Sequence, residues 1–392
     1  MRWASAISRA QGLDRAVDEA TASIASELGG EAPDLVFAFP SAEYSPAIDS
    51  LPERLSRALP GALLLGCSGG SIIGGGHEVE EGPALALAAA SLPGVSLRGF
   101  HVDTAQLPGE ALDEGHWNER VGVEPEADPH FVLLSDPSAD VEQLTRSLDA
   151  RFPEAVKVGG IASGGDQPGS NALFLGDRVH RGGVVGVSLA GDVAVDAIIA
   201  QGCRPVGNPM FVTLCRDNVL HEVDGRPPLQ VLNELVDGAS PEDRALFQTS
   251  LLLGIEMRAE QTAYERGDFL IRNLVGGDPE NGTLVVAAPL HATQVVQFHL
   301  RDRGTADADL EDRLARYQAA TAPGGALLFS CLGRGQNFYG EPDHDSNSFR
   351  RHLGEVPLTG FFCNGEIGPV QRRTFLHGYT SAFGIFRPKM AS

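Results

Sequence analysis

Two charged residues, Arg334 and Glu366, lie in otherwise apolar or glycine-rich stretches of the chain, CLGRGQ and CNGEIG. A buried charge is stable only when a partner neutralises it, and that partner is either another side chain or a ligand. A guanidinium group binds a carboxylate through two parallel hydrogen bonds, and a carboxylate accepts hydrogen bonds from an ammonium group. Because the two residues end adjacent predicted strands, they predict either a structural ion pair or a site in which Arg334 binds the carboxylate of an amino acid and Glu366 its amine.

Glycine-rich turns follow these two strands and two similar strands earlier in the chain. Glycine allows close backbone approach and leaves N–H groups free to point at a ligand, although plain turn geometry is the alternative for any one of them. Ligands of α/β sheets bind at the carboxyl ends of strands. The other predicted ligand-binding residues are Cys67, Ser68, Gly69, Gly160, Ser163, Cys331, Gly333, Gly335, Cys363, Asn364 and Gly365, with Arg204 as a second candidate clamp.

The stretch GCSGG fits the GxSxG pattern of a hydrolase nucleophile, with Ser68 at its centre. That pattern requires a helix directly after it, whereas SIIGGGHEVEEG continues with glycines and acids. No histidine, His101 and His377 included, is fixed near Ser68 by the sequence. A nucleophilic Cys331 or Cys363 would also need a neighbouring base. We therefore predict that the protein is not an enzyme, with a Ser or Cys hydrolase as an alternative.

Composition limits the classes of partner. Acidic residues outnumber basic ones 52 to 30, and a formal charge of −22 repels nucleic acid and anionic bilayers. No GxxxxGK nucleotide loop is present, and HEVEE and EPDHD lack the ligand spacing of zinc or calcium motifs. With no signal-type apolar run and no window of about 20 apolar residues, we expect a cytoplasmic protein that contacts neither membrane nor nucleic acid and holds no metal.

The elements that position these residues follow one order three times: strand, polar turn, helix, strand, glycine-rich turn, strand. The helices are predicted at 48–59, 141–152 and 345–353, and the glycine-rich turns are GCSGG, GGIASGG and CNGEIG. Each copy predicts a parallel strand pair with a right-handed crossover, with the next strand returning antiparallel beside it. The predicted fold is α/β (mixed α+β), with repeated β-α-β-β modules forming helix-covered mixed sheets in two domains, 1–205 and 206–392.

Several runs resemble the FIST family, namely QGCRPVG, SCLGRGQNFYG, PLTGFFCNGEIGPV and FLHGYTSAF, while GCSGGSI and GGIASGG resemble its N-terminal half. The resemblance implies a FIST N-terminal domain, a FIST C-terminal domain and a sensory role in signal transduction with a small ligand such as an amino acid. Some similar bacterial members bind haem as nitric-oxide sensors. The family commonly has Gly-Glu where this sequence has Gly70 and Ser71, so Glu366 lacks a counterpart in the N-terminal half.

The first hypothesis is a cytoplasmic sensor that binds a small polar metabolite in a pocket between the two domains, without a cofactor. Only RPKMAS follows Phe386, so we expect the signal to pass to a separate output protein. The alternative is a haem-based gas sensor in which His377 or His101 binds the iron.

Overall fold

The computed structural model describes residues 1–107, 114–165, 167, 169–258, 261 and 263–390. The chain divides into two compact units. The first comprises Met1–Ile199, Arg313–Leu376 and Thr380–Ser392, and the second comprises Ala200–Asp312 and His377–Tyr379.

The first unit contains three repeats of one arrangement of strands and helices. The first repeat comprises β1 Arg2–Ser8, α1 Leu13–Glu27, β2 Leu35–Pro40, α2 Leu51–Ala58, β3 Leu63–Cys67, β4 Ser71–Gly74, β5 His77–Val79 and β6 Leu85–Ser91. The second comprises β7 Val95–Val102, α3 Glu114–Val121, β8 His130–Ser135, α4 Val141–Arg151, β9 Lys157–Ile161, β10 Leu173–Leu175, β11 Arg178–His180 and β12 Val184–Gly191.

The third repeat begins with β13 Ala194–Gln201 and is interrupted by an inserted segment. That segment comprises β14 Cys203–Arg216, β15 Val219–Val223, α5 Pro228–Asp237, α6 Pro241–Thr249, β16 Leu251–Glu256, β17 Phe269–Asp278, β18 Thr283–Val286 and β19 Val295–Arg301. The repeat continues with α7 Arg303–Arg316, β20 Gly325–Cys331, α8 Gln336–Tyr339, α9 His344–Leu353, β21 Leu358–Cys363, β22 Glu366–Val370, β23 Arg373–His377 and β24 Thr380–Arg387.

In the described part of the chain, the three repeats form three mixed sheets of six strands each. Sheet 1 has the order β1-β6-β2-β3-β10-β11, sheet 2 the order β7-β12-β8-β9-β22-β23, and sheet 3 the order β13-β24-β20-β21-β4-β5. The central pairs β2–β3, β8–β9 and β20–β21 are parallel, because a helix connects their ends. The predicted fold class, repeated modules in helix-covered mixed sheets, is confirmed.

In each repeat a later strand returns antiparallel beside the parallel pair, as predicted: β6 beside β2, β12 beside β8 and β24 beside β20. The strands directly after the glycine-rich turns instead pair with another repeat, which was not predicted. The hairpin β4–β5 of the first repeat pairs with β21 of the third, β10–β11 of the second pairs with β3 of the first, and β22–β23 of the third pairs with β9 of the second. The glycine turns carry the chain out of one sheet and into the next. The exchange closes in a ring, so each sheet is completed by another repeat.

In each parallel pair, a glycine of the second strand lies very close to the backbone of the first strand. A Cβ at Gly66, Gly159 or Gly360 would lie 2.1, 1.8 or 1.8 Å from the carbonyl oxygen of the residue paired with it in the neighbouring strand. Only glycine avoids that overlap. Glycine at this position is therefore required by the packing of each parallel pair.

The inner faces of the three sheets share one apolar core, which includes Phe37, Leu134 and Phe329. Alternate residues of the same strands point outward, as Val36 does, and pack beneath the covering helices α1 and α2. The strands are apolar on both faces because both faces are buried.

The second unit contains a closed barrel with the strand order β14-β15-β18-β17-β16-β19. Leu253, Leu220 and Phe298 contribute to its apolar core, against which α5 and α6 pack. Across the described residues, no helix is both long and apolar enough to cross a membrane.

Candidate functional site

The glycine turns after β3 and β9 are hydrogen bonded to each other. The Gly70 amide donates to Ser163 Oγ at 2.8 Å, and Ser163 Oγ donates in turn to the carbonyl of Phe362, the residue before Cys363. The Ser163 amide donates to the carbonyl oxygen of Ser68 at 3.2 Å. Ser163 is fully buried and therefore joins elements of all three repeats.

The turn after β21 bonds to the end of β9 through its backbone. The Asn364 amide donates to the Ile161 carbonyl at 3.1 Å, and the Ile161 amide donates to the Gly365 carbonyl at 2.9 Å. The Asn364 Nδ2 atom also donates to the Ala162 carbonyl at 2.9 Å. The structure thus brings the three turns together within the first unit, with contributions from both halves of the sequence.

Arg334 lies in the turn after β20, and its side chain is 1% exposed. Its Nε donates to Asp345 Oδ2 at 3.0 Å and its Nη2 donates to Asp345 Oδ1 at 3.1 Å. The guanidinium carbon lies 5.2 Å from the centre of the Tyr339 ring. The third nitrogen, Nη1, is buried without a hydrogen-bond partner, so a rigidly held cation retains one available donor.

Asp345, in the first turn of α9, is the anchor that sequence reasoning missed. Besides Arg334 it accepts hydrogen bonds from Ser330 Oγ, Ser381 Oγ and His344 Nδ1. Burial acts to raise the pKa of Asp345, but the guanidinium and these hydrogen bonds outweigh it and hold the pKa well below its usual range. The Asp345 carboxylate in turn raises the pKa of Arg334 despite its burial. The pair is therefore ionised.

Glu366 begins β22 and is fully buried. Its Oε2 accepts hydrogen bonds from the Thr380 amide at 3.1 Å and from the Thr380 hydroxyl at 2.7 Å, while its Oε1 lies 3.4 Å from Cys363 Sγ. Burial raises the pKa of Glu366 to about 7, although the Thr380 hydrogen bonds and the Arg334 charge oppose the shift. The direct ion pair that the sequence allowed between Arg334 and Glu366 is not formed, because each residue has its own partner.

A second buried carboxylate reaches the same region from the exchanged hairpin of the first repeat. Glu78 in β5 accepts a hydrogen bond from the Ser346 amide at 2.7 Å, and the Ser346 hydroxyl also favours its ionised form. Burial, reinforced by the Asp345 charge, raises the pKa of Glu78 to about 8. Its position in HEVEE resembled a solvated loop, and only the hairpin exchange places it inside.

The predicted cysteines lie at or near the ends of the strands. Cys331 and Cys363 are paired in register on β20 and β21. Cys331 is half-buried, whereas Cys363 and Cys67 are fully buried, and burial raises their thiol pKa values well above the usual range. A Cβ at Gly160 would lie 3.1 Å from the Cβ of Cys363, so that glycine admits the neighbouring side chain.

The remaining predicted glycines have structural contacts. The Gly69 amide donates to the Pro40 carbonyl at 3.0 Å. Gly333 lies within the turn that Arg334 closes by donating its amide to the Cys331 carbonyl at 2.8 Å. Gly335 has φ +88° and precedes α8.

Ser68, the centre of the GxSxG pattern, is buried and hydrogen bonded to Asn171 Oδ1 at 3.3 Å and to the Ala172 amide at 3.1 Å. The element that follows is the strand β4. His101 stacks on His180 with ring centres 4.0 Å apart, and its Nε2 lies 2.9 Å from the Gly182 carbonyl oxygen.

Two further predicted residues lie in the second unit. Arg204 in β14 pairs with Asp243 and lies 3.5 Å from Asp302. His377, at the end of β23, is 2% exposed.

The chain is an α/β protein of two domains. It is characterised by three sheets that exchange hairpins and by ionisable side chains buried where the glycine turns meet. Family models for the FIST N domain and the FIST C domain match residues 34–226 and 228–369. The chain therefore belongs to the FIST family, as the sequence resemblance predicted. FIST domains are associated with sensory signal transduction and with small-ligand binding.

The chain is similar over its whole length to proteins of mycobacteria. An uncharacterized protein of Mycobacterium tuberculosis is 36% identical over 389 residues, which cover 98% of this chain and 100% of the relative. An uncharacterized protein of Mycobacterium bovis is 38% identical over 376 residues, 95% of each chain. The human F-box only protein 22 is 36% identical over 81 residues, 20% of this chain and 19% of that protein.

One solved structure aligns with most of the chain at low similarity. The crystal structure of cyanuric acid hydrolase from A. caulinodans is 11% identical and gives a TM-score of 0.30 while covering 99% of this chain and 100% of the other. That score is too low to bear on fold or function.

Proposed function

We propose that this protein is a sensor that binds a small metabolite carrying both a carboxylate and an amine, such as an amino acid, where its three glycine turns meet. The observation that carries the proposal is the unpaired Nη1 of Arg334 on a guanidinium that Asp345 already holds by two hydrogen bonds. A buried donor of this kind costs stability unless a ligand or water satisfies it.

The recognition chemistry follows from the two charged residues. Arg334 Nη1 would donate to a ligand carboxylate, and Asp345 would pre-organise the guanidinium so that little freedom is lost on binding. Glu366 would accept from the ligand amine, since its Oε1 has only the weak Cys363 thiol contact. Arg334 and Glu366 each lie three residues beyond the paired strand ends Cys331 and Cys363, which favours their serving one small molecule.

Binding of an ammonium group should be linked to the protonation of Glu366. The pKa of this residue is raised to about 7 by burial, and a neighbouring cation favours the ionised carboxylate. The ligand therefore binds more tightly as pH rises through 7, and below that pH its binding releases a proton. The signal would pass to a separate output protein.

Differential scanning fluorimetry and calorimetry of the full chain against the twenty amino acids test the proposal. A ligand present at about one hundred times its dissociation constant stabilises the folded state by roughly 2.7 kcal/mol. We expect one or a few amino acids to bind, and the Arg334→Lys and Glu366→Gln variants to lose at least tenfold in affinity. Arg387→Lys changes another arginine that is held by a carboxylate through two hydrogen bonds, so it is the matched control and should bind as the wild type does.

Two results would count against this function. If bound amino acids retain full affinity in the Arg334→Lys and Glu366→Gln variants, the site lies elsewhere. If no amino acid or related acid stabilises the protein while added haem gives a Soret band, the haem alternative replaces the proposal.

A further inference from the structure

Cys331 and Cys363 lie in register at the ends of the neighbouring parallel strands β20 and β21. Both residues carry thiols. Neighbouring strands of a sheet lie about 4.8 Å apart, and the Cα atoms of disulfide-bonded cysteines are usually separated by about 4.4–6.8 Å. The backbone of sheet 3 therefore holds these two cysteines at a spacing that a disulfide can span.

The side chains of the two cysteines lie on the same face of sheet 3. Phe329 and Phe361 stand two positions earlier on the same strands, are also in register, and contact each other with ring centres 5.9 Å apart. Residues two positions apart on a strand share one face, and this is the face that forms the inner apolar core. Cys363 Sγ also lies 3.4 Å from the carbonyl oxygen of Ser330, on the neighbouring strand. The sulfur of Cys363 therefore lies on the side of Cys331.

The two cysteines differ in exposure, and the difference assigns them different roles. Cys331 is half-buried and is followed by Leu332, which is 41% exposed, whereas Cys363 is fully buried. An oxidant that arrives from solvent therefore meets Cys331 first. The charge of Arg334 interacts with Cys331, and a neighbouring cation favours the thiolate, which is the form that oxidants attack.

Cys363 has a proton acceptor beside it. Burial raises the pKa of the Cys363 thiol well above its usual range, so this thiol must lose its proton as it reacts. Glu366 Oε1 lies 3.4 Å from Cys363 Sγ. The Glu366 carboxylate is therefore placed to accept that proton.

We propose that Cys331 and Cys363 form a redox-sensitive dithiol that hydroperoxides oxidise to a disulfide. The Cys331 thiolate attacks one oxygen of the hydroperoxide, the O–O bond breaks, and a sulfenic acid forms on Cys331. The leaving alkoxide or hydroxide takes up the proton that the Cys331 thiol gave up, and departs as an alcohol or as water. This proposal does not depend on the binding of an amino acid at Arg334.

The second step joins the two sulfurs. Cys363 Sγ attacks the sulfur of the Cys331 sulfenic acid, the S–S bond forms and the S–O bond breaks. The proton of Cys363 passes through Glu366 to the leaving hydroxide, which becomes water. In total two thiols are oxidised to one disulfide, and one hydroperoxide is reduced.

The test is oxidation of the full-length protein with hydrogen peroxide, followed by thiol counting under denaturing conditions and by peptide mapping with mass spectrometry. We expect the wild type to lose two of its five thiols to one intramolecular disulfide between Cys331 and Cys363, which dithiothreitol reverses. Cys331→Ser should form no disulfide. Cys363→Ser should instead accumulate a sulfenic acid on Cys331, which dimedone labels.

Two further variants test the roles of exposure and of the proton acceptor. Cys215→Ser removes another half-buried thiol, so it is the matched control and should form the disulfide within twofold of the wild-type rate. Glu366→Gln should slow disulfide formation at least tenfold while the sulfenic acid on Cys331 still forms. Circular dichroism and thermal melting check that each variant is folded.

The wild-type protein alone can overturn the proposal, whatever the stability of the variants. A lasting sulfenic acid on Cys331 without a disulfide would show that the two sulfurs do not meet. A disulfide that includes Cys67, Cys203 or Cys215 would contradict the assignment of the pair. Retention of all five thiols under hydrogen peroxide would show that the dithiol is not redox-sensitive.

Discussion

Arg334 and Asp345 form a bidentate ion pair in which the two side chains are 1% and 2% exposed. The pair joins the turn after β20 to the first turn of α9, two segments that a parallel strand pair and its crossover helix bring to one end of sheet 3. Its geometry uses two of the three guanidinium nitrogens and fixes the direction of the third.

Replacing Arg334 should destabilise the fold, and the loss should be larger when the substitution removes the positive charge as well as the bidentate geometry. Arg334→Ala leaves Asp345 as an unpaired buried charge and should lower the free energy of unfolding by about 3–5 kcal/mol. Arg334→Lys keeps the charge but loses the bidentate geometry, so its loss should be smaller. Urea unfolding measures both, and Arg204→Lys should change the value by less than about 1 kcal/mol. A loss of that small size for Arg334→Ala would mean that water reaches the pair.

The buried carboxyl groups Glu78 and Glu366 should make the protein less stable as pH rises. Their folded-state pKa values are raised to about 8 and about 7, whereas the unfolded chain ionises near the ordinary value. Their contribution is therefore fully present below the unfolded pKa and is lost as pH rises through 7 and 8. Unfolding free energies of Glu78→Gln and Glu366→Gln measured from pH 5 to 9 should fall less with pH than those of the wild type. Parallel curves would show that both groups are ionised when folded.

Two buried histidines should make the protein less stable as pH falls, which is the opposite of the effect of Glu78 and Glu366. Burial lowers the pKa of His130 and of His299 to about 4, so the neutral imidazoles contribute stability above the unfolded pKa and lose it as pH falls toward 4. Comparing each glutamine variant with wild type at every pH removes this shared contribution.

The two lysines of the chain should differ sharply in how much they contribute to the free energy of unfolding. Lys157 is fully buried and donates to Asp149 at 2.8 Å and to the Phe152 and Ala155 carbonyls. Lys157→Ala should lower the unfolding free energy by about 3 kcal/mol, since it leaves two buried carbonyls without their donor and leaves Asp149 with only its hydrogen bonds from Thr374. Lys389→Ala, which removes a surface pair with Asp128, should change it by less than about 1 kcal/mol. Equal effects in chemical denaturation would contradict the burial of Lys157.

The glycines of the parallel pairs should not tolerate a methyl group. Gly159→Ala and Gly360→Ala each place a Cβ 1.8 Å from a carbonyl oxygen, so the paired strands must separate. We expect a loss of about 3 kcal/mol or more, or insoluble protein. Gly12→Ala is the control, because nothing lies within 4 Å of its Cβ. Melting temperatures near that of the wild type for all three variants would show that the strands shift at little cost.

Local pattern predicted the elements well where the pattern was strong. The helix expected at 141–152 is Val141–Arg151, and the helix expected at 345–353 is His344–Leu353. The first strand, β1, was not predicted, because RWASAIS becomes a strand by pairing with β6, whose residues lie 77 to 89 positions further along the chain. Propensity is weak evidence for strands whose partners are distant.

Only part of the candidate site could be predicted, because local sequence pattern reveals some of its residues and not others. Arg334 and Glu366 stood out as charges in apolar surroundings, and both are buried at the ends of adjacent strands. Their partners Asp345 and Thr380 were not predicted, because no local spacing links a turn to a helix or strand that packs on it. The position of Glu78 could not be predicted. Its hairpin is part of the first repeat in the sequence but pairs with a strand of the third repeat.

The ring of shared hairpins bears on how the chain matures. During synthesis the second repeat emerges long before β22, its neighbour in sheet 2, which lies more than 200 residues after β9. The third repeat must leave the ribosome before sheets 2 and 3 have all their strands. Until then the unpaired edges of β9 and β4 are open to pairing with other chains.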